Sequence, residues 1–271
     1  MNVQQTGRVE FTCPYQVDAG IGARAHIGMV VTSNDQTLSY EARSMLTIQG
    51  IALYEARLQS TRARNKPITF DGLGRLAEQL DGALMQINSL RTSDVVALGC
   101  TSAAMVIGHA ELERRIHAVH PGARTTDPYK AIHAALRALA SKRVGFLSPY
   151  PAEVAATMIN RIEAAGFAVP VAAAFRNETG MIGDESPFVS PDSIRSAVRM
   201  VVAARIDTVV IACTQMRAAT TIAGLEQETG VRIISSNQAL CWHALRLAGC
   251  DDVLPQWGEL FRRRAEPGSS Q

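Results

Sequence analysis

The sequence predicts an α/β protein of two pseudo-symmetric lobes, each a parallel sheet flanked by helices. Two observations lead to this prediction. Short apolar segments of strand length alternate along the chain with longer amphipathic segments, which is typical of βαβ units. In addition, a strand that leads into a Cys-Thr pair occurs once in each half of the chain, which indicates an internal repeat.

The predicted strands are short and rich in apolar and β-branched residues. They are His26–Val31, Val95–Leu98, Arg143–Leu147, Ala168–Ala173, Thr208–Ala212 and Arg232–Ile234. The predicted helices carry apolar residues at helical spacing, and they are Leu73–Leu90, Tyr129–Ala140, Pro151–Ala165, Pro191–Ala204 and Ala239–Leu247. Ser190 is expected to cap the helix that begins at Pro191, since proline is favoured as the first residue of a helix.

The internal repeat divides the chain into two similar halves. Asp94-Val-Val-Ala-Leu-Gly-Cys-Thr aligns without a gap with Asp207-Thr-Val-Val-Ile-Ala-Cys-Thr. A second pair of similar segments, Ile27–Val31 and Val144–Ser148, precedes these elements in the same order. We therefore expect an N-terminal extension (1–25), a first lobe (26–122 plus 238–271) and a second lobe (123–237).

Composition argues against several classes of function. The chain has 271 residues, of which 47% are hydrophobic and 19% charged, with a formal net charge of +2. This is enough apolar material for a large core, but not the basic balance that nucleic-acid binders need. No apolar run approaches the roughly 20 residues that span a bilayer, and the polar N-terminus does not resemble a signal peptide. We expect a cytoplasmic protein with no nucleic-acid or membrane partner.

The cysteines and histidines do not form a metal or disulfide pattern. The five cysteines are Cys13, Cys100, Cys213, Cys241 and Cys250, without a CxxC pair or zinc-finger spacing. The histidines show no HExxH motif. We expect neither a disulfide framework nor a metal site, and we interpret Cys241 and Cys250 as packing residues.

Cys100 and Cys213 are the candidate catalytic residues. Each follows a strand, at the edge where parallel sheets bind ligands. We expect each thiol to lie near the N-terminus of a following helix, which would favour the thiolate. Thr101, Ser102 and Thr214 add donors that suit a carboxylate. One cysteine after an apolar strand is usually an inert buried residue, but the repetition favours two thiols that face each other across one cleft.

The ordered motifs of the chain resemble a known family. Gly-Cys100-Thr-Ser, Ser148-Pro-Tyr150 and Ala-Cys213-Thr-Gln are similar to motifs of the aspartate/glutamate racemase superfamily, and within it to the maleate cis–trans isomerases and arylmalonate decarboxylases. The resemblance runs from about residue 26 to residue 249, which is most of the chain. Asp35-Gln-Thr and Ser236-Asn-Gln-Ala-Leu look most like the ectoine-utilisation branch, whose members act on amino-acid derivatives.

The resemblance implies two lobes with the site between them, and neither a metal nor an organic cofactor. Cys100 and Cys213 match the family's paired cysteines, and Tyr150 matches a tyrosine that contacts a substrate carboxylate. The family's asparagine after the first strand aligns with Asp35, while Asn34 lies one place earlier, so either residue could face the substrate.

Three further expectations follow from the resemblance. Another family asparagine corresponds to Asn177, in the loop before Pro187. Thr214 and Gln215, which follow the second cysteine, are expected to bind substrate. Relatives are often dimers, so a homodimer is a possible assembly.

Two kinds of chemistry suit these residues and a small carboxylate or amino-acid-derived substrate. In a racemase, one thiolate removes the proton alpha to a carboxylate while the opposite thiol delivers one to the other face. In a maleate isomerase, one thiolate adds to the double bond. Rotation about the resulting single bond follows, and elimination then gives the trans acid. Asp35 favours racemisation slightly, because an aspartate beside a thiol suits general-base catalysis.

Two other functions remain open from the sequence. An arylmalonate-type decarboxylase needs only one cysteine as a proton donor, so the presence of two argues against that activity. A non-catalytic protein that binds a small acid could use the same two-lobed frame, since fold does not fix function. Such a protein would not need thiols on both faces of its ligand, and we therefore favour an enzyme.

Overall fold

The computed structural model describes residue 8 and residues 10–60, 62–63, 66–88, 90–177 and 183–265. The strands in these ranges are β1 (Ala25–Thr32), β2 (Ile51–Leu58), β3 (Val95–Gly99), β4 (Arg124–Thr126), β5 (Arg143–Ser148), β6 (Ala168–Ala174), β7 (Thr208–Ile211) and β8 (Arg232–Ser235). The α-helices are α1 (Leu38–Leu46), α2 (Phe70–Gly74), α3 (Leu80–Leu84), α4 (Thr101–Ile107), α5 (His109–Val119), α6 (Pro128–Ala138), α7 (Ala152–Ala164), α8 (Pro191–Val202), α9 (Ile222–Thr229) and α10 (Ser236–Leu247).

The strands form two four-stranded sheets with the same topology. The first sheet has the order β2-β1-β3-β4 and the second has the order β6-β5-β7-β8, and every neighbouring pair is parallel. The predicted α/β fold with a repeated lobe is therefore confirmed. Because β4 pairs with β3, the first sheet includes residues 124–126, which the sequence repeat assigned to the second lobe.

The structure differs from the prediction in two strands, in one broken helix, and in the helices α1, α4, α5 and α9, for which no range is predicted. The sequence of β2, Ile-Ala-Leu-Tyr-Glu-Ala-Arg-Leu, consists mostly of good helix formers, and β4 has only three residues. Neither strand is predicted from the sequence. The single helix expected over Leu73–Leu90 is broken into α2, a 3₁₀ helix (Arg75–Gln79) and α3, in a segment that contains Gly74 and Gly82. Glycine is unfavourable inside a helix.

The repeated aspartates tie neighbouring strands together in both lobes. The Asp94 carboxylate accepts a hydrogen bond from the backbone N–H of His26, at the start of β1, at 2.7 Å. The Asp207 carboxylate accepts from the backbone N–H groups of Lys142 and Arg143, at the start of β5, at 3.0 and 2.9 Å. The same residue therefore fixes the relative position of the two central strands in each sheet.

One continuous apolar core joins the two sheets. It includes Ile27 and Val95 of the first sheet, Trp242 of α10, and Phe146 and Val209 of the second sheet, all nearly inaccessible to solvent. Helix α10 contacts α1, α6 and β3, so the chain returns to the first sheet after β8. Among the described helices, none is both long and apolar enough to cross a bilayer.

We expect Gly145→Ala to destabilise the protein because α8 packs directly on β5. A Cβ atom at Gly145 would lie 2.3 Å from Cγ1 of Val201 and 2.6 Å from Cδ1 of Ile206. Such overpacking costs about 1–3 kcal/mol in the free energy of unfolding, which urea denaturation can measure. Adding Val201→Ala should recover part of the loss.

Gly224→Ala in α9 is the matched control, because no atom lies within 4 Å of the added Cβ. Alanine is a better helix former than glycine, so this variant should be at least as stable as the parent. Equal stability of Gly145→Ala and the parent would contradict the close packing of α8 on β5.

Candidate active site

A cavity of about 350 Å³ lies at the carboxyl ends of the central strands of both sheets. Its wall includes one residue at or just after each of these strands: Thr32 for β1, Cys100 for β3, Tyr150 for β5 and Cys213 for β7. Parallel sheets bind ligands at this edge. The two repeated thiols therefore line one cavity.

Cys100 is the N-cap residue of α4 and is half-buried. Burial raises the pKa of its thiol, while hydrogen bonds from the backbone N–H of Ala103 and from Ser102 partly offset that effect. The Cys100 Sγ lies 3.9 Å from the Ser102 hydroxyl oxygen. These donors can stabilise a thiolate at this position.

Cys213 lies in a different backbone environment. Its φ of 118° is in a region that non-glycine residues rarely adopt, and such strain is typical of functional positions. The helix expected directly after Cys213 is absent, because the described chain makes a turn and the next helical segment is the 3₁₀ helix Ala219–Thr221.

The Cys213 thiol is strongly favoured in its neutral form. Burial raises the pKa of Cys213 to about 12, even though the backbone N–H of Gln215 and the Tyr150 hydroxyl lower it. The negative charge of Asp35 raises the pKa of both Cys100 and Cys213. The sequence-based expectation that both positions favour the thiolate is therefore wrong, because desolvation outweighs the nearby donors.

The hydroxyl of Ser236 connects the two Cys-Thr elements. Its oxygen accepts a hydrogen bond from the Thr101 hydroxyl at 2.9 Å and another from the backbone N–H of Cys213 at 3.0 Å. Ser236 is fully buried at the start of α10. This serine therefore positions Cys213 relative to the first lobe. From the sequence, Ser236 is only the first residue of the Ser-Asn-Gln-Ala-Leu segment, and this role is not predicted.

A second buried network ties the loop after Cys213 to α1. The Asn237 side-chain amide donates to the Glu41 carboxylate at 2.7 Å and to the Thr214 carbonyl at 2.8 Å. The Glu41 carboxylate also accepts from the backbone N–H of Ala219 at 3.0 Å, and burial raises its pKa to about 7. The Thr37 hydroxyl donates to the Gln215 carbonyl at 3.0 Å.

Asn34 rather than Asp35 faces the cavity. Asn34 lines it, whereas Asp35 is 2% exposed. The Asp35 Oδ1 atom accepts hydrogen bonds from the backbone N–H groups of Thr37 and Leu38, both at 2.8 Å, so it caps the start of α1. Its Oδ2 atom has no hydrogen-bond partner among the described residues. Asp35 therefore acts on the site through its charge rather than by lining it.

The other sequence-predicted site residues divide into two groups. Ser102, Tyr150, Thr214 and Gln215 line the cavity. Thr101 is buried behind it, and Asn177 does not line it; the Asn177 amide lies 3.4 Å from the Glu185 carboxylate.

Burial raises the pKa of Tyr150 well above its ordinary value, and its hydroxyl interacts with both Thr101 and Cys213.

One wall of the cavity is not anticipated from the sequence. It consists of residues between β2 and α3: Ser60, Arg62, Ala63, Lys66, Pro67, Ile68, Thr69, Gly72, Leu73, Arg75 and Leu76. This segment carries no chemical motif, and only the tertiary fold brings it over the cysteines. Its basic side chains are the charged groups among the described residues that line the cavity.

Maleate isomerases and arylmalonate decarboxylases are similar to this chain. The arylmalonate decarboxylase (Amdase) family model matches residues 65–261. The maleate isomerase of Nocardia farcinica is 26% identical over 249 residues, covering 88% of this chain and 95% of that protein. The maleate isomerase of Pseudomonas putida is 24% identical over 244 residues, covering 87% and 96% respectively.

Solved structures share the fold. A Nocardia farcinica maleate cis–trans isomerase mutant with a covalently bound succinylcysteine intermediate has a TM-score of 0.76 at 22% identity, covering 88% of this chain and 98% of that chain. Arylmalonate decarboxylase has a TM-score of 0.68 at 22% identity, covering 87% and 98%. The resemblance to this group is confirmed, while the ectoine-utilisation branch stays a prediction. The family model covers well over half of the chain, and the protein therefore belongs to the arylmalonate decarboxylase (Amdase) family.

Proposed function

We propose that the protein is a cofactor-independent cysteine isomerase that interconverts the cis and trans forms of a small unsaturated carboxylate such as maleate. The observation that carries this proposal is the pair of unequal thiols, Cys100 and Cys213, in the wall of one cavity. Two relatives over most of the chain are maleate isomerases. The succinylcysteine of a structural neighbour is the product expected when a thiol adds across a carbon–carbon double bond.

The surroundings of the two thiols assign them different roles. Cys100 is the more exposed of the two, and donors from Ser102 and Ala103 offset part of the burial that raises the pKa of its thiol, so it is the nucleophile. Cys213, whose pKa is raised to about 12, remains a thiol and can deliver a proton. A nucleophile and an acid on facing sides of one substrate are what addition to a double bond requires.

The cycle begins when the Cys100 thiol has lost its proton to solvent, and from that point the reaction balances with the two cysteines alone. The Cys100 thiolate forms a carbon–sulfur bond with one alkene carbon, and the π electrons move toward the carboxylate on the other carbon. The Cys213 thiol protonates that carbon, which leaves a single bond about which the adduct can rotate. The Cys213 thiolate then removes a proton from the same carbon, the carbon–sulfur bond breaks, and the trans acid leaves with Cys100 again a thiolate.

Neutral donors around the cavity can hold the substrate carboxylate. Tyr150 keeps its proton because burial raises its pKa, so its hydroxyl can donate to an anion without adding charge. Asn34, Ser102 and Thr214 line the same cavity. Preorganised donors of this kind stabilise the negative charge that develops on the carboxylate during addition.

Racemisation of an amino-acid derivative is the second candidate. The negative charge of Asp35 is close enough to both thiols to raise the pKa of each. A thiolate with a raised pKa is a stronger base, which suits removal of the proton alpha to a carboxylate. A racemase that works in both directions, however, needs both thiols to alternate between acid and base. The unequal environments of Cys100 and Cys213 therefore place cis–trans isomerisation ahead of the racemisation that the sequence slightly favours.

We expect Cys100→Ala and Cys213→Ala each to lower kcat for conversion of maleate to fumarate by about 100-fold or more. Proton NMR in D₂O follows this conversion, and the same spectra on aspartate detect the exchange of the alpha proton that racemisation requires. In Cys213→Ser, a maleate adduct on Cys100 should accumulate and appear by mass spectrometry.

Cys250→Ser is the control for loss of a thiol, because Cys250 does not line the cavity. It should keep the activity of the parent. Full activity in either Cys100→Ala or Cys213→Ala would contradict the two-thiol mechanism. Exchange of the alpha proton of aspartate without conversion of maleate would favour the racemase instead.

We expect Asp35→Asn to lower the pKa of Cys100. The Asp35 carboxylate disfavours ionisation of the Cys100 thiol. Removal of its charge should therefore lower the pH at which half of Cys100 is ionised, by about half a pH unit or more. Asparagine retains the Oδ1 acceptor for Thr37 and Leu38. The pH dependence of Cys100 alkylation by iodoacetamide, measured in a Cys213→Ala background, gives the midpoint.

Asp192→Asn is the matched control, since Asp192 lies on the surface helix α8 and its side chain is 90% exposed. Its midpoint should equal that of the parent. A midpoint that is unchanged or higher in Asp35→Asn would show that Asp35 does not act on the thiol through its charge.

A further inference from the structure

We propose that Arg62 selects substrates that carry a second anionic group, and that Asp184 holds the Arg62 guanidinium in place until such a group replaces it. This inference rests on the proposed function, because it assumes that the acid binds between the two cysteines. It extends that function to a specificity residue in a wall that neither cysteine motif includes.

The distribution of charge in the cavity is the first argument. The residues at the strand ends, such as Asn34, Cys100, Tyr150 and Cys213, carry no formal charge in their resting forms. Among the described residues, those that bring charge to the lining are Arg62, Lys66 and Arg75, and all three are basic. A substrate with a second negative group therefore finds its complement in the wall between β2 and α3.

Burial singles out Arg62 among these cations. The side chain of Arg62 is 14% exposed, while that of Arg75 is 54% exposed and pairs with the exposed Asp71. Lys66 is also exposed. Ion pairs weaken in bulk water and are screened by salt, so a carboxylate bound by Arg62 contributes more selectivity than one bound at the exposed positions.

Hydrogen bonds to its neighbours hold Arg62 in place in the cavity wall. Its Nη1 atom donates to the carbonyl of Lys66 at 2.7 Å, and its backbone N–H donates to the hydroxyl of Ser60 at 3.3 Å. The Ser60 backbone N–H in turn donates to the hydroxyl of Ser33 at 2.9 Å, next to Asn34. Arg62 is therefore anchored to the same loop that brings Asn34 to the substrate.

The partner of the remaining Nη2 atom comes from the other lobe. Arg62 Nη2 forms an ion pair with the Asp184 carboxylate, whose side chain is 32% exposed. Arg62 follows β2 and Asp184 follows β6, the equivalent edge strands of the two sheets. The pair thus joins two equivalent connections, one from each lobe. A carboxylate already occupies the guanidinium, and a substrate carboxylate of the same chemistry can exchange with it.

The test compares the binding of succinate with that of its monoamide, succinamate, by isothermal titration calorimetry. Both ligands are saturated and do not accept a thiol, so binding is measured without turnover. The wild-type protein should bind succinate more tightly by about tenfold or more, and Arg62→Gln should abolish that ratio by weakening succinate alone. Asp184→Asn should bind succinate more tightly than the wild type, because a competing carboxylate is removed.

Arg195→Gln is the control for loss of one positive charge at a distance, since Arg195 lies on α8 and does not line the cavity. It should keep the wild-type ratio. Equal weakening of both ligands by Arg62→Gln, no wild-type preference for succinate, or weaker succinate binding in Asp184→Asn would each overturn the role of Arg62. A preference for succinate that depends on Arg62, without isomerisation of maleate, would leave this role intact and overturn the proposed function.

Discussion

The bridge that Ser236 makes between Thr101 and the backbone of Cys213 sets the geometry on which the site depends. Ser236 begins α10, and a capping box between Ser235 and Gln238 fixes the first turn of that helix. All of these groups are buried, where an unpaired polar group costs about 1–3 kcal/mol. The chain therefore cannot move Cys213 away from the first lobe without breaking buried hydrogen bonds, and the relative position of the two thiols follows from the start of one helix.

A repeated sequence has produced two thiols in unequal environments. Cys100 has ordinary extended backbone angles and leads into α4, whereas Cys213 has a φ of 118° and leads into a turn. The burial that brings both thiols to one substrate also disfavours their charged forms, and the nearby donors offset that effect to different degrees. Duplication of one strand and its Cys-Thr pair thus supplies an acid and a nucleophile, because the backbone after the second strand departs from the first.

The parts of the fold and the site that could be predicted from the sequence are those fixed by local pattern. The central strands are predicted because their residues are apolar and β-branched. The placement of Cys100 and Cys213 in the site is predicted because parallel sheets bind ligands at the carboxyl ends of their strands. The strand β2 reads as helical because its residues favour helices, and only pairing with β1 makes it a strand. Sequence spacing could not decide whether Asn34 or Asp35 faces the substrate, because this depends on the hydrogen bonds by which the buried Asp35 caps the start of α1. The position of Arg62 depends on a long connection whose path only the tertiary fold determines.

The continuous core between the lobes limits how the two sheets can move relative to each other. Hinge motion of one sheet against the other would expose apolar surface shared by both, including that of Phe146 and Trp242, at about 25 cal/mol per Å². Exchange of the Arg62–Asp184 ion pair, in contrast, leaves this shared core covered. Local rearrangement around Arg62 and Asp184 is therefore less costly than separation of the two sheets. The strand ends therefore hold the catalytic groups in fixed positions, while the connections after the edge strands select the substrate.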